Sequence, residues 1–237
     1  MIPMNNKWKI WALLFLLFTF SSILSSQSRT SGSDTNMVFG KLKSPTIQQS
    51  TDRQYVNAMG VNVLVSTNGF GLGTFYRHEY TDDFAGFLDL SISEAKDDNE
   101  VEYFDPYTGQ SYVPGKVNRF LLFPLMAGVQ KRLFKDDILE NFRPFLEAGA
   151  GPTMIYVFPY DEEYFTALGH GHPQYTYAAF AGFGAYFGER SNLMGLSFRY
   201  YYVPYPKGIQ SFDAGNGPST KTQFGGFYIT LNFGNAW

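Results

Sequence analysis

The sequence predicts an all-β protein: a closed, antiparallel, up-and-down barrel of about eight strands that crosses a membrane. Segments that alternate apolar with small or polar residues recur along residues 57–234, and turn-forming residues separate them. Aromatic residues make up 19% of the chain and charged residues only 16%, whereas ordinary soluble domains carry about 25% charged residues. After the N-terminal region no apolar run reaches the length of a spanning helix. A membrane chain of this kind must satisfy its backbone hydrogen bonds by closing a barrel.

The N-terminus has the three parts of an export signal. Lys7 and Lys9 supply positive charge, residues 10–20 form an uncharged apolar run, and several serines follow. A spanning helix needs about twenty apolar residues, so this run is too short for a good membrane anchor. We therefore expect residues 1–26 to be a signal peptide that is cleaved near Ser26.

The remainder divides into a leader and the barrel. Residues 27–55 are polar, rich in Ser and Thr and without sustained periodicity, which is typical of a flexible segment, here a periplasmic leader. Residues 56–237 hold the alternating segments, so we expect the barrel there. The chain has no Cys and therefore no disulfide, and its net charge of −3 gives no reason to expect a nucleic-acid partner.

Eight segments follow one another in the barrel region, and each is near or above the roughly nine to eleven residues of a tilted membrane strand. Asn68 and Gly69, between the first two, predict a tight hairpin turn. The fourth is apolar on both faces, so its register stays open, and Pro124 favours a bulge there. The segments are residues 57–66, 70–80, 84–93, 117–131, 143–158, 174–187, 192–203 and 221–234.

The connections between these segments alternate in length. With the N-terminus in the periplasm, short periplasmic turns follow segments two, four and six, and longer outer loops follow segments three, five and seven. This asymmetry is the one expected of an outer-membrane-type barrel. Apart from a short patch at 134–141, we expect the connections to be irregular. The outer loops are residues 94–116, 159–173 and 204–220.

One face of each segment carries bulky apolar side chains, and the other carries small residues with a few charges. Eight strands enclose an interior that side chains just fill, so we expect the bulky face to meet lipid, with glycine and charge along the barrel axis. A soluble barrel would turn its apolar face inward. The inward charges are predicted to form a polar network that satisfies buried charge or, alternatively, lines a polar path or binding site. Its members are Arg77, Glu79, Asp89, Glu147 and Arg199.

The last segment carries an alternation that ends on an aromatic residue. The positions that define it are Phe227, Ile229, Leu231, Phe233 and Trp237. This pattern resembles the final strand of the small outer-membrane β-barrel domain family, from which Asn235 and a terminal Trp depart. The resemblance covers residues 57–237 and implies a bacterial outer-membrane location and recognition of this strand by the barrel-assembly machinery. It also implies outer-membrane lipid, lipopolysaccharide and the secretion machinery as partners.

Histidines provide two weaker candidates for chemistry. In the loop 159–173, His170 and His172 lie near three acidic residues, a combination that suits divalent metals, but no third well-placed ligand is evident. His78 precedes Glu79, yet neighbours in a strand point to opposite faces, and no nucleophile pattern accompanies them. The sequence therefore predicts no catalytic residue, no metal site and no cofactor.

The function favoured by these patterns is that of a non-enzymatic outer-membrane barrel with an envelope-structural or surface-binding role. The loop 94–116 mixes acidic residues with Tyr and Phe, which suits either ligand binding or packing among the loops. Eight strands argue against a wide diffusion pore. Two alternatives stay open: a narrow conduit for ions or small apolar solutes, and a lipid A-modifying barrel enzyme. The pattern does not predict the oligomeric state.

Overall fold

The computed structural model describes residues 55–97, 100–107, 109–135, 141–213 and 217–237. The predicted signal peptide and all but the last residue of the predicted leader lie outside these residues. Within them, strands dominate and one short helix interrupts them. The elements are β1 (Asn57–Ser66), β2 (Gly69–Glu79), β3 (Phe84–Ala95), β4 (Tyr103–Asp105), β5 (Gln110–Tyr112), β6 (Asn118–Arg132), β7 (Phe142–Pro159), α1 (Tyr164–His170), β8 (His172–Phe187), β9 (Asn192–Tyr202), β10 (Pro204–Asp213), β11 (Pro218–Gln223) and β12 (Gly226–Ala236).

Eight of these strands close into one antiparallel barrel, in the order β1-β12-β9-β8-β7-β6-β3-β2. Each barrel strand pairs with the barrel strands that precede and follow it along the chain. The seam between the first and last strands is continuous from Ala58, opposite Ala236, to Ser66, opposite Tyr228. The predicted fold class, a closed up-and-down barrel of eight strands, is confirmed. Among the described residues, no helix is long and apolar enough to cross a membrane.

The two ends of the barrel carry connections of different length. The long-loop end has the tight turn after β1 and three connections of twelve or more residues. The short-turn end has three connections of nine or fewer residues, together with Asn57 and Trp237, whose backbones bond to each other at 2.8 and 3.0 Å. This alternation matches the one that the sequence predicted. The long connections are residues 96–117, 160–171 and 203–225.

Seven predicted segments match barrel strands to within two residues at each end. The eighth was wrong at its start. Lys221 belongs to β11, where it pairs with Ile209 of β10 in a two-stranded ribbon outside the barrel, and the barrel strand begins only at Gly226. Both stretches have strand-forming residues, and alternation alone does not reveal which partner a strand pairs with.

The long connections contain regular structure, so the expectation that they are irregular was wrong. Residues of the first form the hairpin β4–β5, the second contains α1, and the third forms the ribbon β10–β11. These elements are three to ten residues long. Such short elements carry too few periods of a hydrophobic pattern to stand out in a sequence.

The apolar face of the barrel wall turns outward. On β9, Phe198 is 42% exposed and the adjacent Arg199 only 4%; on β12, Ile229 is 44% exposed and the adjacent Thr230 is fully buried. This is the orientation that the alternation predicted. Aromatic rings gather at both rims of the outer surface. They are Tyr76, Tyr80, Phe84, Phe142 and Phe187 at the short-turn end, and Phe70, Tyr175, Tyr177, Tyr202 and Phe227 at the long-loop end.

The lumen is filled in layers rather than by charge and glycine throughout. In the long-loop half, inward side chains from seven barrel strands form an apolar core, and a smaller apolar group lies toward the short-turn end. Buried charges lie between them. The expectation of a polar axis was therefore wrong for the long-loop half, where the fourth segment, apolar on both faces, supplies Phe120, Leu122 and Met126. The largest members of that core are Phe120, Leu64, Met126, Ile155, Val157, Val203 and Phe224.

Inward glycines make room for rings on adjacent strands. Phe87, Gly128, Gly149 and Phe180 lie in one row across β3, β6, β7 and β8. A methyl group on Gly149 would lie 2.8 Å from the Phe180 ring, closer than atoms pack. The two rings meet over the glycines with their centroids 5.8 Å apart. The glycines on the inner face therefore have a packing role.

Helix α1 covers part of the outer face at the long-loop end. Ala167 of the helix packs on Leu121 and Phe158, which belong to the outward faces of β6 and β7. The Tyr156 hydroxyl donates a 2.6 Å hydrogen bond to the Leu168 carbonyl and fixes the helix to the wall. Although they lie on the outward face of the wall, Leu121 and Phe158 are consequently buried against protein.

Candidate functional site

The most densely charged part of the interior is a central ionic cluster formed by Asp89, Glu147 and Arg199. The Arg199 guanidinium donates to both Glu147 oxygens, at 2.6 and 3.1 Å, and to Asp89 Oδ2 at 2.9 Å. The three side chains come from β3, β7 and β9 and are at most 5% exposed. A bidentate Arg–carboxylate pair is among the strongest protein hydrogen-bonding arrangements. The cluster therefore links distant strands across the lumen.

The wall is shaped so that this cluster can form. Gly182 of β8 pairs with Glu147 on one side and with Arg199 on the other. A methyl group at Gly182 would lie 2.6 Å from the Phe198 carbonyl oxygen and 3.0 Å from Arg199 Cγ. Because the position between them has no side chain, the two charged groups meet directly across β8.

Neutral groups complete the surroundings of the cluster. Asn62 Nδ2 donates to Asp89 Oδ2 at 2.7 Å, and Arg199 Nη1 contacts the Tyr201 hydroxyl at 3.3 Å. The guanidinium also lies 5.0 Å from the centre of the Phe180 ring, within cation–π range. Asn62 thus adds a donor to one of the carboxylates, whereas the Tyr201 hydroxyl and the Phe180 ring contact the guanidinium. Sequence reasoning placed Asn62 on the inner face but did not include Asn62, Phe180 or Tyr201 in the network.

A separate mouth cluster of Arg77, Glu79, Gln130 and Tyr186 lies toward the short-turn end. Arg77 donates to Glu79 at 2.9 Å and to Gln130 at 3.1 Å, and its guanidinium lies 4.8 Å from the centre of the Tyr186 ring. Gln130 in turn donates to the Tyr186 hydroxyl at 3.3 Å. The five charged residues proposed for one network thus occupy two groups. The central group holds Asp89, Glu147 and Arg199, and the mouth group holds Arg77 and Glu79.

The layer above the central ionic cluster closes the lumen toward the long-loop end. Ile155 and Val157 are fully buried there, and the rings of Phe120 and Phe224 meet edge to face at 5.1 Å. Tyr201 links this core to the cluster below, because its ring stacks on Phe180 at 4.8 Å. Packed apolar side chains thus fill much of the barrel interior between the charges and the long-loop end.

The long-loop end carries the most exposed aromatic groups outside the barrel wall. In the hairpin β4–β5, the rings of Tyr103 and Tyr112 lie 6.2 Å apart, and both are exposed together with Phe104 and Tyr107. The base of this loop is tied down by ion pairing. Lys116 bonds to Glu100 at 2.7 Å, and both side chains are less than 10% exposed. The structure thus presents aromatic rings on a short hairpin with an anchored base.

The histidine-containing loop is organised around α1. Glu163 caps the helix by accepting from the Thr166 backbone N–H at 3.2 Å, and His170 Nδ1 lies 2.6 Å from Glu162 Oε2. Burial is the first cause that raises the pKa of Tyr164, and the charge of Glu94 adds to it against the opposing effect of Arg119. Among the described residues, no three His, Cys, Asp or Glu side chains converge as metal ligands.

His78 lies at the short-turn end of β2. Its Nδ1 is 2.8 Å from Asn57 Oδ1, and its ring packs edge-on against Tyr80 at 5.0 Å. Glu79 bonds instead to Arg77 on the inner face. The structure therefore brings His78 against an amide and an aromatic ring, and it does not pair His78 with Glu79.

The last strand of the barrel places its alternate apolar residues on the outer surface. The side chains of Phe227, Ile229, Leu231 and Phe233 are all exposed, and the ring of Trp237 is exposed beyond the end of the strand. The backbone of Trp237 closes the seam with Asn57. These five residues, expected to act in assembly, thus form an accessible stripe in the finished barrel.

Comparison with known proteins gives likenesses of fold. No family model and no curated protein matches the sequence. The N-terminal β-barrel domain of Pseudomonas aeruginosa OprF is 14% identical with a TM-score of 0.43, and the match covers 78% of this chain and 98% of that chain.

Two further solved structures resemble the chain to a similar degree. Ail, the attachment invasion locus protein of Yersinia pestis, is 13% identical with a TM-score of 0.39, over 76% of this chain and 95% of that chain. Neisserial surface protein A is 12% identical with a TM-score of 0.42, over 76% of this chain and 92% of that chain.

Proposed function

We propose that this chain is a non-enzymatic bacterial outer-membrane barrel that is closed to solutes and presents its long-loop end for a structural or surface-binding role. The observation that carries the proposal is a band of exposed apolar side chains around a barrel with a packed interior. In water such a surface would aggregate, whereas in lipid it is the favourable arrangement.

The distribution of aliphatic and aromatic side chains on the outer surface supports a membrane location. Aliphatic residues such as Leu72, Leu90 and Leu125 are exposed along the middle of the strands. Aromatic rings lie at both rims, where the headgroup region of a bilayer favours Tyr and Trp. The barrel strands are ten to eighteen residues long, enough for tilted strands to cross the hydrocarbon core. In this orientation the long-loop end faces outward and the short-turn end faces the periplasm.

The packed interior supports a closed barrel over a narrow conduit. A conduit through eight strands would need a continuous polar or vacant path, and the apolar core around Ile155 and Phe224 lies across that path. The charges below it are bonded to one another. The layers therefore favour a barrel whose rigid wall supports the external loops.

The external loops are the part of the molecule suited to recognition. The hairpin β4–β5 exposes Tyr103, Phe104, Tyr107 and Tyr112 beside acidic residues. Aromatic side chains on anchored loops are common in binding surfaces. Lipopolysaccharide and outer-membrane lipid would surround the wall at this end. Export through the signal peptide 1–26, a periplasmic leader at 27–55, and recognition of the last strand by the assembly machinery belong to the same proposal.

Membrane fractionation with gel mobility tests the location. The full chain is expressed in a Gram-negative host, and membranes are separated on a density gradient. We expect the protein in the outer-membrane fraction, with an unboiled band that migrates differently from the boiled band, as folded barrels do. A protein confined to the soluble periplasm would contradict the proposal.

Conductance tests the closed interior. Purified protein is inserted into planar bilayers, and current is recorded beside a known porin as a positive control. We expect no stable single-channel steps. Steps that change when Arg77 or Arg199 is substituted would instead favour a conduit that passes those groups.

Lipid analysis tests the non-enzymatic part of the proposal. Mass spectrometry of lipid A from cells with and without the expressed chain should give the same acylation pattern. A change in lipid A acylation that disappears when His78 is substituted would contradict the non-enzymatic proposal. His78 is chosen because it lies in the barrel wall directly before the carboxylate of Glu79.

A further inference from the structure

We propose that the interior of the barrel holds a binding site for one small monovalent cation, such as Na⁺, beside the central ionic cluster. Buried oxygen atoms from β1, β3, β9 and β12 form this site on the inner face of the wall. They belong to Asn62, Asp89, Ser197 and Thr230. The inference goes beyond the proposed function, which assigns no ligand to the interior.

The oxygen atoms of the site are buried, and their hydrogen-bonding capacity is unused. Each of the four residues is at most 1% exposed. Among the described residues, none provides a hydrogen-bond partner for Asn62 Oδ1, Asp89 Oδ1, Ser197 Oγ or Thr230 Oγ1. Buried polar atoms in folded proteins are almost always satisfied by protein, water or a bound ion. Each residue therefore offers one oxygen to a ligand.

The fold brings these residues to neighbouring positions around the lumen. Asn62 Nδ2 donates to Asp89 Oδ2 at 2.7 Å, so side chains of β1 and β3 meet across β2. Thr230 of β12 is paired directly with Ser197 of β9, and it lies diagonally from Asn62 on β1. Arg199, on the same face of β9 as Ser197, donates to Asp89 Oδ2 at 2.9 Å. The oxygens therefore adjoin one side of the central ionic cluster.

The charge of the cluster favours a cation over a water molecule. Asp89 and Glu147 are two carboxylates against the single guanidinium of Arg199, so the ionised side chains leave one negative charge in excess. Glu147 uses both of its oxygens on Arg199, whereas Asp89 uses only Oδ2. A water molecule would give Asp89 Oδ1 a hydrogen bond but leave the buried charge uncompensated, which is costly. One monovalent cation compensates it.

The donor set suits a small hard cation. Carboxylate, amide and hydroxyl oxygens are ligands of hard cations, whereas nitrogen and sulfur ligands favour transition metals. A divalent ion would exceed the negative charge of the cluster, and Mg²⁺ releases its waters reluctantly. The amide nitrogen of Asn232, opposite Asn62, also lacks a partner among the described residues. A water molecule bound to the ion would accept a hydrogen bond from it.

Unfolding at constant ionic strength tests the site. The full chain is refolded in zwitterionic micelles and unfolded with urea, either in NaCl or in the chloride of N-methyl-D-glucamine, an organic cation too large for the site. A ligand that binds only the folded state multiplies the folding equilibrium constant by one plus the ratio of its concentration to its dissociation constant. We expect that constant to rise up to about tenfold for each tenfold increase in Na⁺, and not to rise with the organic cation.

Two variants test the location of the ion. Asp89→Asn removes the excess charge and leaves Glu147 paired with Arg199, so the dependence on Na⁺ should disappear. Thr230→Val keeps the charge and the shape of the side chain but removes one oxygen. The dissociation constant of Na⁺ should then rise about tenfold, the effect of losing one contact with a charged group. Equilibrium dialysis with radioactive Na⁺ should give one ion per folded barrel, and none for Asp89→Asn.

Thr153→Val is the matched control. Thr153 also has a buried hydroxyl without a partner among the described residues. It lies nearer the long-loop end of β7, about 20 Å from Glu147 along the strand at the usual rise per residue. The dissociation constant of Na⁺ should stay within about twofold of that of the unmodified protein, since distant sites act independently.

Two results would overturn the proposal. The first is equal stability in NaCl and in the organic chloride, which is what water molecules alone, or a proton on Asp89, would give. The second is a loss of Na⁺ affinity in Thr153→Val as large as the loss in Thr230→Val, because the effect would then not depend on the position of the oxygen. The first result is informative even if every variant fails to fold, since it needs only the unmodified protein.

Discussion

The central ionic cluster and the apolar core above it hold the same barrel together in different ways. In the apolar core, Ile155 or Phe224 packs against many neighbours, and no single contact is decisive. In the cluster, one guanidinium bonds to two carboxylates from different strands. Loss of an apolar side chain leaves a cavity, whereas loss of the guanidinium leaves buried charge. The interior therefore depends on packing in one layer and on ion pairing in the next.

Arg199→Met tests the pairing layer and should have the largest effect. It leaves Asp89 and Glu147 buried without a cation, which costs about 3–5 kcal/mol of unfolding free energy. Urea unfolding in micelles, followed by gel mobility and Trp fluorescence, measures the change. The triple variant Asp89→Leu, Glu147→Met, Arg199→Met should recover most of the loss, because it removes all three charges. A single variant as stable as the unmodified protein would show that the charges are hydrated.

Ile155→Ala tests the packing layer. Ile155 is fully buried, and truncating a buried Ile to Ala costs about 2–5 kcal/mol through lost contacts and an unfilled cavity. The control is Ile229→Ala on the outer face, where detergent or lipid can fill the space, so the loss should be smaller. Equal losses measured by urea unfolding would contradict the assignment of inner and outer faces.

The wall of the barrel was predictable because its alternation repeats over many residues. On β9, the order Phe198, Arg199, Tyr200 gives the outward and inward positions directly, and β12 repeats the pattern with Ile229 and Thr230. Lipid favours bulky apolar side chains on the outer face, whereas the narrow interior favours small or polar side chains on the inner face. The sequence therefore carries the strand number and the orientation with little ambiguity.

The interior was only partly predictable because alternation does not give distances across the lumen. Arg77 and Arg199 both point inward, yet they belong to different clusters since they lie at different heights. Gln130 and Tyr186, which bond to each other in the mouth cluster, are neutral and far apart in sequence. The apolar core was missed because β6 is apolar on both faces. Its position depends on strand register, which the sequence left open.

Gly182→Ala tests how tightly the wall is packed beside the central ionic cluster. The added methyl would lie 2.6 Å from a backbone oxygen, and overpacking of this kind costs about 1–3 kcal/mol. Gly169→Ala in α1 is the control, because nothing lies within 4 Å of its added methyl. We expect urea unfolding to show a loss for the first variant and none for the second. Equal stability of the two variants would mean that the backbone around Gly182 shifts to accommodate the added methyl group.

The exposed ion pair of Asp82 and Lys135 should contribute least to the free energy of unfolding. In this it differs from the buried central ionic cluster. The hydrogen bond from Lys135, with its charge, lowers the pKa of Asp82 from its ordinary value of 3.8. A lowered pKa in the folded state stabilises the protein above pH 3.8, and this contribution disappears as the pH falls through the folded-state pKa. Both side chains are at least one-third exposed, so solvent screening keeps the contribution at about 0.2–1 kcal/mol.

Lys135→Met, compared with the unmodified protein by urea unfolding at successive pH values, measures this contribution. The difference in unfolding free energy should be present at neutral pH and vanish once Asp82 is protonated in both states, because only the carboxylate form attracts Lys135. Added salt should reduce the difference at neutral pH, since exposed charges are screened. A difference that persists in acid would assign the role of Lys135 to packing by its aliphatic stem. In that case ion pairing would stabilise this barrel only where the pair is buried.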